Sequence, residues 1–301
     1  MGDITASSCS PNKPKNKKTS EKDDGDFRTY DVTTTSDRVI EHYRAMRANQ
    51  TLAFHAKMSD KYKFDPVTGA GRRLMTMEDA FDQLESYVDS SDPDLDLPNR
   101  VHLLQTAEGI RRAGQPDWMQ VVGLIHDMGK IMFLWGEDED GQNGVDPDGH
   151  QWALGGDTWI LGCEIPESVV FPQFNALNVD MQDEICKSKY GIYSPNCGLN
   201  ALKCAWGHDE YMYRMLIANK CTIPPEGLAI IRYHSLYPWH SNNAYSHLTN
   251  NQDEETKGWV QFFNAFDLYT KDEENELHVE SLWNYYYPLL EKYGLGGQLW
   301  W

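Results

Sequence analysis

Apolar residues recur at helical spacing along most of this chain. After a polar N-terminal segment, Val39, Tyr43 and Met46 lie three to four positions apart, which predicts a helix from the N-cap Ser36 to about position 52. Another helix is predicted directly after the N-cap Thr76. The same spacing predicts further helices at about 99–113, 117–134, 197–218, 224–236, 254–271 and 279–293.

Alternation typical of strands is nearly absent. Residues 88–98 are predicted to form a loop, because their prolines prevent regular structure, and a long irregular stretch holds Gly155–Thr158. Residues 138–150 superficially resemble a calcium loop, but Asn143 and Gly149 occupy the positions where such a loop needs Gly and Glu, so we do not predict calcium there. The pattern predicts an all-α, single-domain helical bundle with long functional loops.

The doublet His126-Asp127 interrupts one of the predicted apolar helices, and Lys130 follows one turn later. Burying a carboxylate beside an imidazole costs several kcal/mol unless a cation compensates. An aspartate also has two oxygens that can bridge two metal ions. We therefore interpret the doublet as half of a metal site.

Four further candidate ligands lie within or at the end of apolar runs, where an unpaired imidazole or carboxylate would be unfavourable: His102, His208, His234 and Asp267. Six donors of this kind are too many for one ion with an open position, whereas two ions bridged by Asp127 would use them all. Nitrogen and carboxylate donors without thiolate suit iron, manganese or zinc. We expect the remaining histidines 42, 55, 150, 247 and 278 at the surface, and a structural role for His240.

The composition fits one folded unit. The candidate ligands extend from His102 to Asp267, so we predict a single domain over 27–301, preceded by a disordered polar tail at 1–26. With 40% hydrophobic residues the chain can bury a sizeable core, and no run approaches the roughly 20 apolar residues of a membrane span. We expect a soluble, cytoplasmic monomer.

The net charge and the cysteine spacing bear on possible partners and on the redox state of the thiols. The net charge of −19 disfavours nucleic acid, because a phosphate backbone would be repelled. The lysines at 13–18 are interpreted as part of the solvated tail. None of the six cysteines forms a C-x-x-C pair, which favours reduced and mostly buried thiols.

The order His…His-Asp…Asp resembles the metal-site pattern of HD domains. Five longer strings resemble the inositol oxygenase family in particular: 91–99 (SDPDLDLPN), 105–111 (QTAEGIR), 206–211 (WGHDEY), 237–240 (YPWH) and 266–271 (FDLYTK). The resemblance runs from about Phe27 to Trp301. It implies an HD-domain-like helical fold.

The family reaction converts myo-inositol and O₂ to D-glucuronate and water, a step of inositol catabolism. The resemblance implies two iron ions in a mixed-valent Fe(II)/Fe(III) pair, with the substrate diol on one iron and hydrogen abstraction by a superoxo species. It assigns His102, His126 and Asp267 to the first iron. It assigns His208 and His234 to the second, with Asp127 as the bridge.

The resemblance also implies which residues contact the substrate: Arg28, Asp89, Ser90, Ser91, Lys130, Gly156, Asp157, His234, Ser235 and Lys271. Lys130 would lower the pKa of a coordinated hydroxyl and favour the alkoxide, which makes it a catalytic candidate with Asp127. Arg28 lies beside the tail, so the N-terminal segment could close over the site as a lid.

Three alternatives remain open. An HD-type phosphohydrolase would share the metal geometry and attack a nucleotide or phosphomonoester with a metal-bound hydroxide. Such a site needs a cluster of cations for phosphate, and the sequence offers only Lys130, Lys271 and Arg28, which disfavours this alternative. An iron-storing or iron-sensing helical protein would lack a polyol pocket, and an interaction scaffold leaves six buried ligands unexplained.

Overall fold

The computed structural model describes residues 30, 33, 35–64, 73–91, 98–143, 150–269 and 279–301. The predicted tail at 1–26 lies outside these residues, as do 92–97, 144–149 and His278. The described α-helices are α1 Asp37–Asn49, α2 Leu52–Lys61, α3 Met77–Gln83, α4 Asn99–Arg112, α5 Asp117–Ile125, α6 His208–Ala218, α7 Pro225–Tyr233, α8 Tyr237–His240, α9 Asn251–Tyr269 and α10 Val279–Lys292.

The prediction of an all-α fold is confirmed. Within the described ranges, extended structure is limited to one two-stranded antiparallel sheet of β1 Leu74–Met75 and β2 Leu299–Trp300, plus two isolated bridges. Short 3-10 segments complete the regular structure, at Leu84–Ser86, Met128–Leu134, Asp138–Asp140, Pro172–Leu177, Val179–Gln182 and Leu199–Ala201.

The helix predicted from Ser36 to about 52 is α1, which ends at Asn49, and a helix that was not predicted, α2, begins at Leu52. The side chain of Gln50 is buried and bonds both backbone groups of Trp206, accepting from its N–H at 2.8 Å. Thr51 then caps α2 by accepting from the N–H of Phe54. The predicted cap Thr76 is confirmed, with a full capping box formed by Asp79.

Two other predicted helix extents were wrong. The helix at 117–134 ends as α5 at Ile125 and resumes after Asp127 as a 3-10 segment. The helix at 197–218 starts only at His208, because the backbone before it pairs with residues 159–161. Leu161 N–H donates to Lys203 O and Ala205 N–H donates to Trp159 O, each at 2.8 Å.

Two apolar clusters form the core. The larger one includes residues of α3 to α7, α9 and α10, and α4 and α5 make its most extensive helix contact. A Cβ at Gly123 would lie 2.7 Å from Ile110 Cδ1, so the glycine permits this close packing. The smaller cluster packs α1 against residues 152–171.

The five cysteines within the described ranges behave as their pattern predicts, while Cys9 lies outside those ranges. Cys163, Cys186 and Cys204 are buried free thiols, while Cys197 and Cys221 are partly buried and also free. No described helix is long and apolar enough to cross a membrane.

Candidate metal centre

Three of the predicted ligands meet on one side of the bundle. His102 lies on α4, His126 follows the end of α5, and Asp267 lies on α9. Asp267 Oδ1 is 2.9 Å from His102 Nε2 and 3.3 Å from His126 Nε2. These donor atoms are close enough together to surround one metal ion.

Two further imidazoles face the first group across Asp127. The Nε2 atoms of His208 and His234 are 3.1 Å apart, and Asp127 Oδ1 lies 3.0 and 3.4 Å from them. The other oxygen of Asp127, Oδ2, is 3.9 Å from Nε2 of both His102 and His126. Asp127 thus turns one oxygen towards each group, as a bridging carboxylate would.

Hydrogen bonds to the backbone indicate which nitrogen of each imidazole carries the proton. Nδ1 of His126 lies 2.9 Å from Gly123 O, Nδ1 of His208 2.8 Å from Leu154 O, and Nδ1 of His234 3.0 Å from Ile231 O. A carbonyl only accepts, so each Nδ1 donates and, in the neutral ring, each Nε2 keeps a lone pair. This orientation is typical of metal-bound histidines.

A cation fits this arrangement of donors. The lone pairs on Nε2 of His208 and His234 point towards each other and towards the Asp127 carboxylate. Within the described ranges, the buried His126 Nε2 has no hydrogen-bond partner. Buried acceptors without donors are unfavourable, so the centre fits divalent metal ions.

The helix ends explain how consecutive residues reach one point. Adjacent side chains on a continuous helix diverge by roughly 100°, and α5 does not continue through His126 and Asp127. The chain instead changes to a 3-10 segment after Asp127. Gly129 allows this turn to approach α6, since a Cβ there would lie 2.0 Å from His208 O.

Charge in the centre favours ionised carboxylates. Burial alone would raise the pKa of Asp127, but Lys130 and the facing histidines hold it well below its usual range. Burial would likewise raise the pKa of Asp267, and His102 and His126 lower it well below that range. Burial lowers the pKa of His102, whereas the attraction of Asp127 outweighs burial and raises the pKa of His234.

Lys130 links the centre to the candidate substrate residues. Its Nζ is 2.6 Å from Asp127 Oδ2, 2.7 Å from Asp89 Oδ2 and 3.4 Å from Asn99 Oδ1. Burial would lower the pKa of Lys130, but the two carboxylates raise it above its usual value. The ammonium therefore stays charged while it is buried.

Asp89, Ser90 and Ser91 lie together beside Lys130. Ser91 donates to Asp89 Oδ1 from both its N–H, at 2.8 Å, and its hydroxyl, at 2.7 Å. A Cβ at Gly155 would lie 2.7 Å from the Asp89 carboxylate, so the glycine-bearing loop packs closely against this acid. Ser91 orients Asp89, while Ser90 contacts His42.

The other candidates form the adjoining wall. Gly156 has φ +95°, a backbone conformation that favours glycine, and the N–H of Asp157 lies 3.4 Å from the hydroxyl of Tyr43. Thr158 N–H donates to Ser235 O at 2.9 Å, and Ser235 Oγ lies 3.4 Å from His208 Nε2. Arg28 and Lys271 lie outside the described residues.

The surface prediction was wrong for two histidines. His42 and His55 are 7% and 6% exposed, because each lies on the buried side of its helix and bonds a distant backbone carbonyl. His42 follows Val39 by three positions and precedes Met46 by four, so its helical spacing could have placed it inside. His240 has a structural contact, with Nε2 2.9 Å from His234 O.

A buried ion-pair network supports the second group of ligands. Glu210 accepts from Arg214 Nε and from Arg232 Nε, each at 2.7 Å. Glu210 lies two residues after His208, and Arg232 lies two residues before His234. The network therefore joins the start of α6 to the end of α7, where these two imidazoles are held. The spacing of apolar and polar positions in the sequence did not predict this network.

Fold and site together define an all-α protein with a buried histidine–aspartate candidate metal centre. The sequence model described as "Myo-inositol oxygenase" matches residues 36–301. The chain belongs to the myo-inositol oxygenase family. It is 44% identical to the inositol oxygenase of Danio rerio over 93% of this chain and 95% of that protein. The corresponding proteins are 43% identical in Sus scrofa (93% of each chain) and 41% in Dictyostelium discoideum (89% and 87%).

Proposed function

We propose that this chain is a di-iron oxygenase that cleaves the ring of myo-inositol. In the proposed reaction, C₆H₁₂O₆ and O₂ give D-glucuronic acid, C₆H₁₀O₇, and water. The four electrons that the ring loses are the four that O₂ accepts. Membership of the myo-inositol oxygenase family supports the substrate and the reaction type.

One observation carries the proposal: six predicted ligands form two groups that share Asp127. His102, His126 and Asp267 would hold the first iron, His208 and His234 the second, and Asp127 would bridge them. The second group has fewer protein donors, so it would leave coordination positions for two neighbouring substrate hydroxyls. A mixed-valent Fe(II)/Fe(III) pair would supply Lewis acidity towards the diol and an electron for O₂.

In the proposed function the protein binds and orients the polyol. Lys130 stays charged beside Asp127, so its ammonium would lower the pKa of a nearby substrate hydroxyl and favour the alkoxide. Asp89 is oriented by Ser91 and would accept a hydroxyl proton as a hydrogen bond. Ser90, Gly156, Asp157 and Ser235 complete a polar wall in which a missing hydroxyl would leave buried groups unpaired.

Phosphate hydrolysis is supported less well. A phosphate would need cations that are free to bind it, but Lys130 is already paired with two carboxylates. The neighbouring Asp89 would also repel a phosphomonoester. That the chain works as a cytoplasmic monomer, and that the segment around Arg28 closes the site, stay predictions from the sequence.

Anaerobic addition of myo-inositol to the iron-loaded chain tests the proposal. We expect a change in the EPR signal of the iron pair, followed on admission of air by consumption of one O₂ for each uronate formed. Release of phosphate from a nucleotide or phosphomonoester without O₂ uptake would instead identify the hydrolase. An unchanged EPR signal and no uronate would contradict the proposal.

A further inference from the structure

His42 lies in the wall formed by the candidate substrate residues. Its Nδ1 is 2.9 Å from Ser90 Oγ and its Nε2 is 3.2 Å from Gly155 O. A Cβ at Gly156 would come within 3.2 Å of the same ring nitrogen, Nε2. The imidazole therefore joins helix α1 to both backbone segments of the wall, and neither of its nitrogens faces solvent.

The two contacts fix the polarity of the imidazole. Gly155 O can only accept, so Nε2 carries a proton. Burial lowers the pKa of His42 and outweighs Asp89 and the bond to Gly155 O, which raise it, while Arg38 and Lys130 lower it further. The ring is therefore neutral, and its Nδ1 holds a lone pair. Since Nδ1 can only accept, the hydroxyl proton of Ser90 points at His42.

This contact determines what Ser90 offers to a ligand. A free serine hydroxyl can either donate or accept a hydrogen bond. With its proton committed to His42, Ser90 Oγ presents only lone pairs on its remaining side. A ligand at this wall must then bring a donor, which a polyol hydroxyl supplies and a methyl ether or a deoxy carbon does not.

We propose that His42 is a positioning residue that fixes the Ser90 hydroxyl as a hydrogen-bond acceptor for one hydroxyl of the bound polyol. The inference rests on the proposed function and deepens it, because it names a residue that selects between inositols and their mono-deoxy or O-methyl derivatives. Ser90 is half-buried, and a bound ligand would cover its hydroxyl. Discrimination arises because a derivative without that donor leaves the covered acceptor unpaired.

Steady-state kinetics of His42→Leu test the role. We expect KM for myo-inositol to rise by about tenfold while kcat stays within about twofold, since one hydrogen bond in ground-state binding is affected. His42→Gln retains a donor and an acceptor, so it should recover most of the loss. In the Ser90→Ala background, His42→Leu should change KM by less than about twofold, because the two residues act as a unit.

His55→Leu is the matched control. His55 is also a buried histidine on a helix, and its Nδ1 bonds Cys204 O at 3.0 Å, outside the candidate substrate wall. We expect His55→Leu to lower the melting temperature without changing KM. An unchanged KM in His42→Leu, or independent effects of His42→Leu and Ser90→Ala on KM, would overturn the proposal.

The tautomer of His42 tests the inference separately from the reaction. In ¹⁵N-histidine-labelled, zinc-loaded chain, two-bond ¹H–¹⁵N spectra should show a neutral His42 ring protonated at Nε2. Its Nδ1 resonance should shift in Ser90→Ala. A ring protonated at Nδ1 would overturn the inference even in an active oxygenase. Failure of the wild-type chain to form uronate would instead contradict the proposed function.

Discussion

At the scale of single residues, Asp127 carries the greatest share of the proposed chemistry, because each of its oxygens faces a different group of imidazoles. The sequence predicted this residue and its five partners because a polar doublet in an apolar helix is unfavourable without a cation. It did not predict that Lys130 would pair with Asp89, since the two residues lie 41 positions apart and only the folded chain brings them within 2.7 Å.

Asp127→Ala should remove both metal ions and abolish O₂ uptake, because each group then lacks its shared carboxylate. Metal analysis of the purified variant measures this directly. Asp140→Ala is the control, since Asp140 is also buried and pairs with Lys57 at 2.5 Å and Lys61 at 2.7 Å. The control should keep both ions, and retention of two ions in Asp127→Ala would exclude bridging.

Lys130→Met should leave the metal-loaded chain folded but lower kcat by roughly a hundredfold, since it removes the cation that would lower the pKa of the substrate hydroxyl. The change also leaves Asp89 without its partner, which costs about 3 kcal/mol of folding free energy. In Lys130→Met with Asp89→Asn the free energy of unfolding should recover, and kcat should stay well below that of Asp89→Asn alone, since Asp89 is itself a candidate substrate contact. Urea unfolding and O₂-uptake rates separate the two effects. A near-normal kcat in either variant would remove Lys130 from the chemistry.

At the scale of helices, the candidate metal centre depends more on where helices end than on how long they are. His126 and Asp127 follow α5, His208 begins α6, and His234 follows α7. Helical periodicity predicted that these helices exist, but not where they end, because the ends are set by contacts distant in sequence. Gln50 interrupts the first predicted helix by bonding Trp206, a residue that the periodicity of 36–52 could not anticipate.

Gly129→Ala tests one such close approach. Its Cβ would lie 2.0 Å from His208 O, a backbone atom, so α6 must move and His208 with it. We expect a loss of about 1–3 kcal/mol in the free energy of unfolding and weaker metal binding. Isothermal titration with Fe(II) under argon, together with urea unfolding, measures both quantities.

Gly258→Ala provides the opposite expectation for the same chemical change. Nothing lies within 4 Å of a Cβ at Gly258, which sits inside α9. Alanine there should stabilise the chain by about 0.5–1 kcal/mol and leave metal binding unchanged. Equal stability changes in Gly129→Ala and Gly258→Ala would show that the approach of the 3-10 segment to α6 does not exclude a side chain at position 129.

At the scale of the whole molecule, buried ion pairs connect distant parts of the chain. Asp140 joins residues 138–143 to α2, and Glu210 joins α6 to α7. Burial would raise the pKa of each acid, but the paired lysines and arginines lower it below its usual value. Sequence alone could not assign these pairs, because a surface rich in acids offers many equivalent partners.

The stability of the metal-free chain should therefore depend on pH. Because the folded pKa of Glu210 is depressed, its contribution is complete above the ordinary value of 4.5 and is lost as pH falls through the folded pKa. Urea unfolding should show Glu210→Gln less stable than the wild type at pH 6, with the difference narrowing below about pH 4.5.

Glu255→Gln, on the exposed face of α9, changes the net charge equally and serves as the control. The small difference in free energy of unfolding between Glu255→Gln and the wild type should not narrow as the pH falls below about 4.5. If the difference in free energy of unfolding between Glu210→Gln and the wild type stayed constant from pH 6 to pH 3, the assigned ion pairing would be contradicted.

The candidate donors lie on α4, α6 and α9 and directly after α5 and α7, and their order along the chain has a consequence for biosynthesis. A nascent polypeptide that has emerged only as far as position 250 carries five of the six donors but lacks the aspartate at 267. The first group cannot close until the ninth helix has left the ribosome and docked. In the proposed function, a chain without the aspartate at 267 could not hold the first iron, so it would not expose a reactive pair of ions to oxygen.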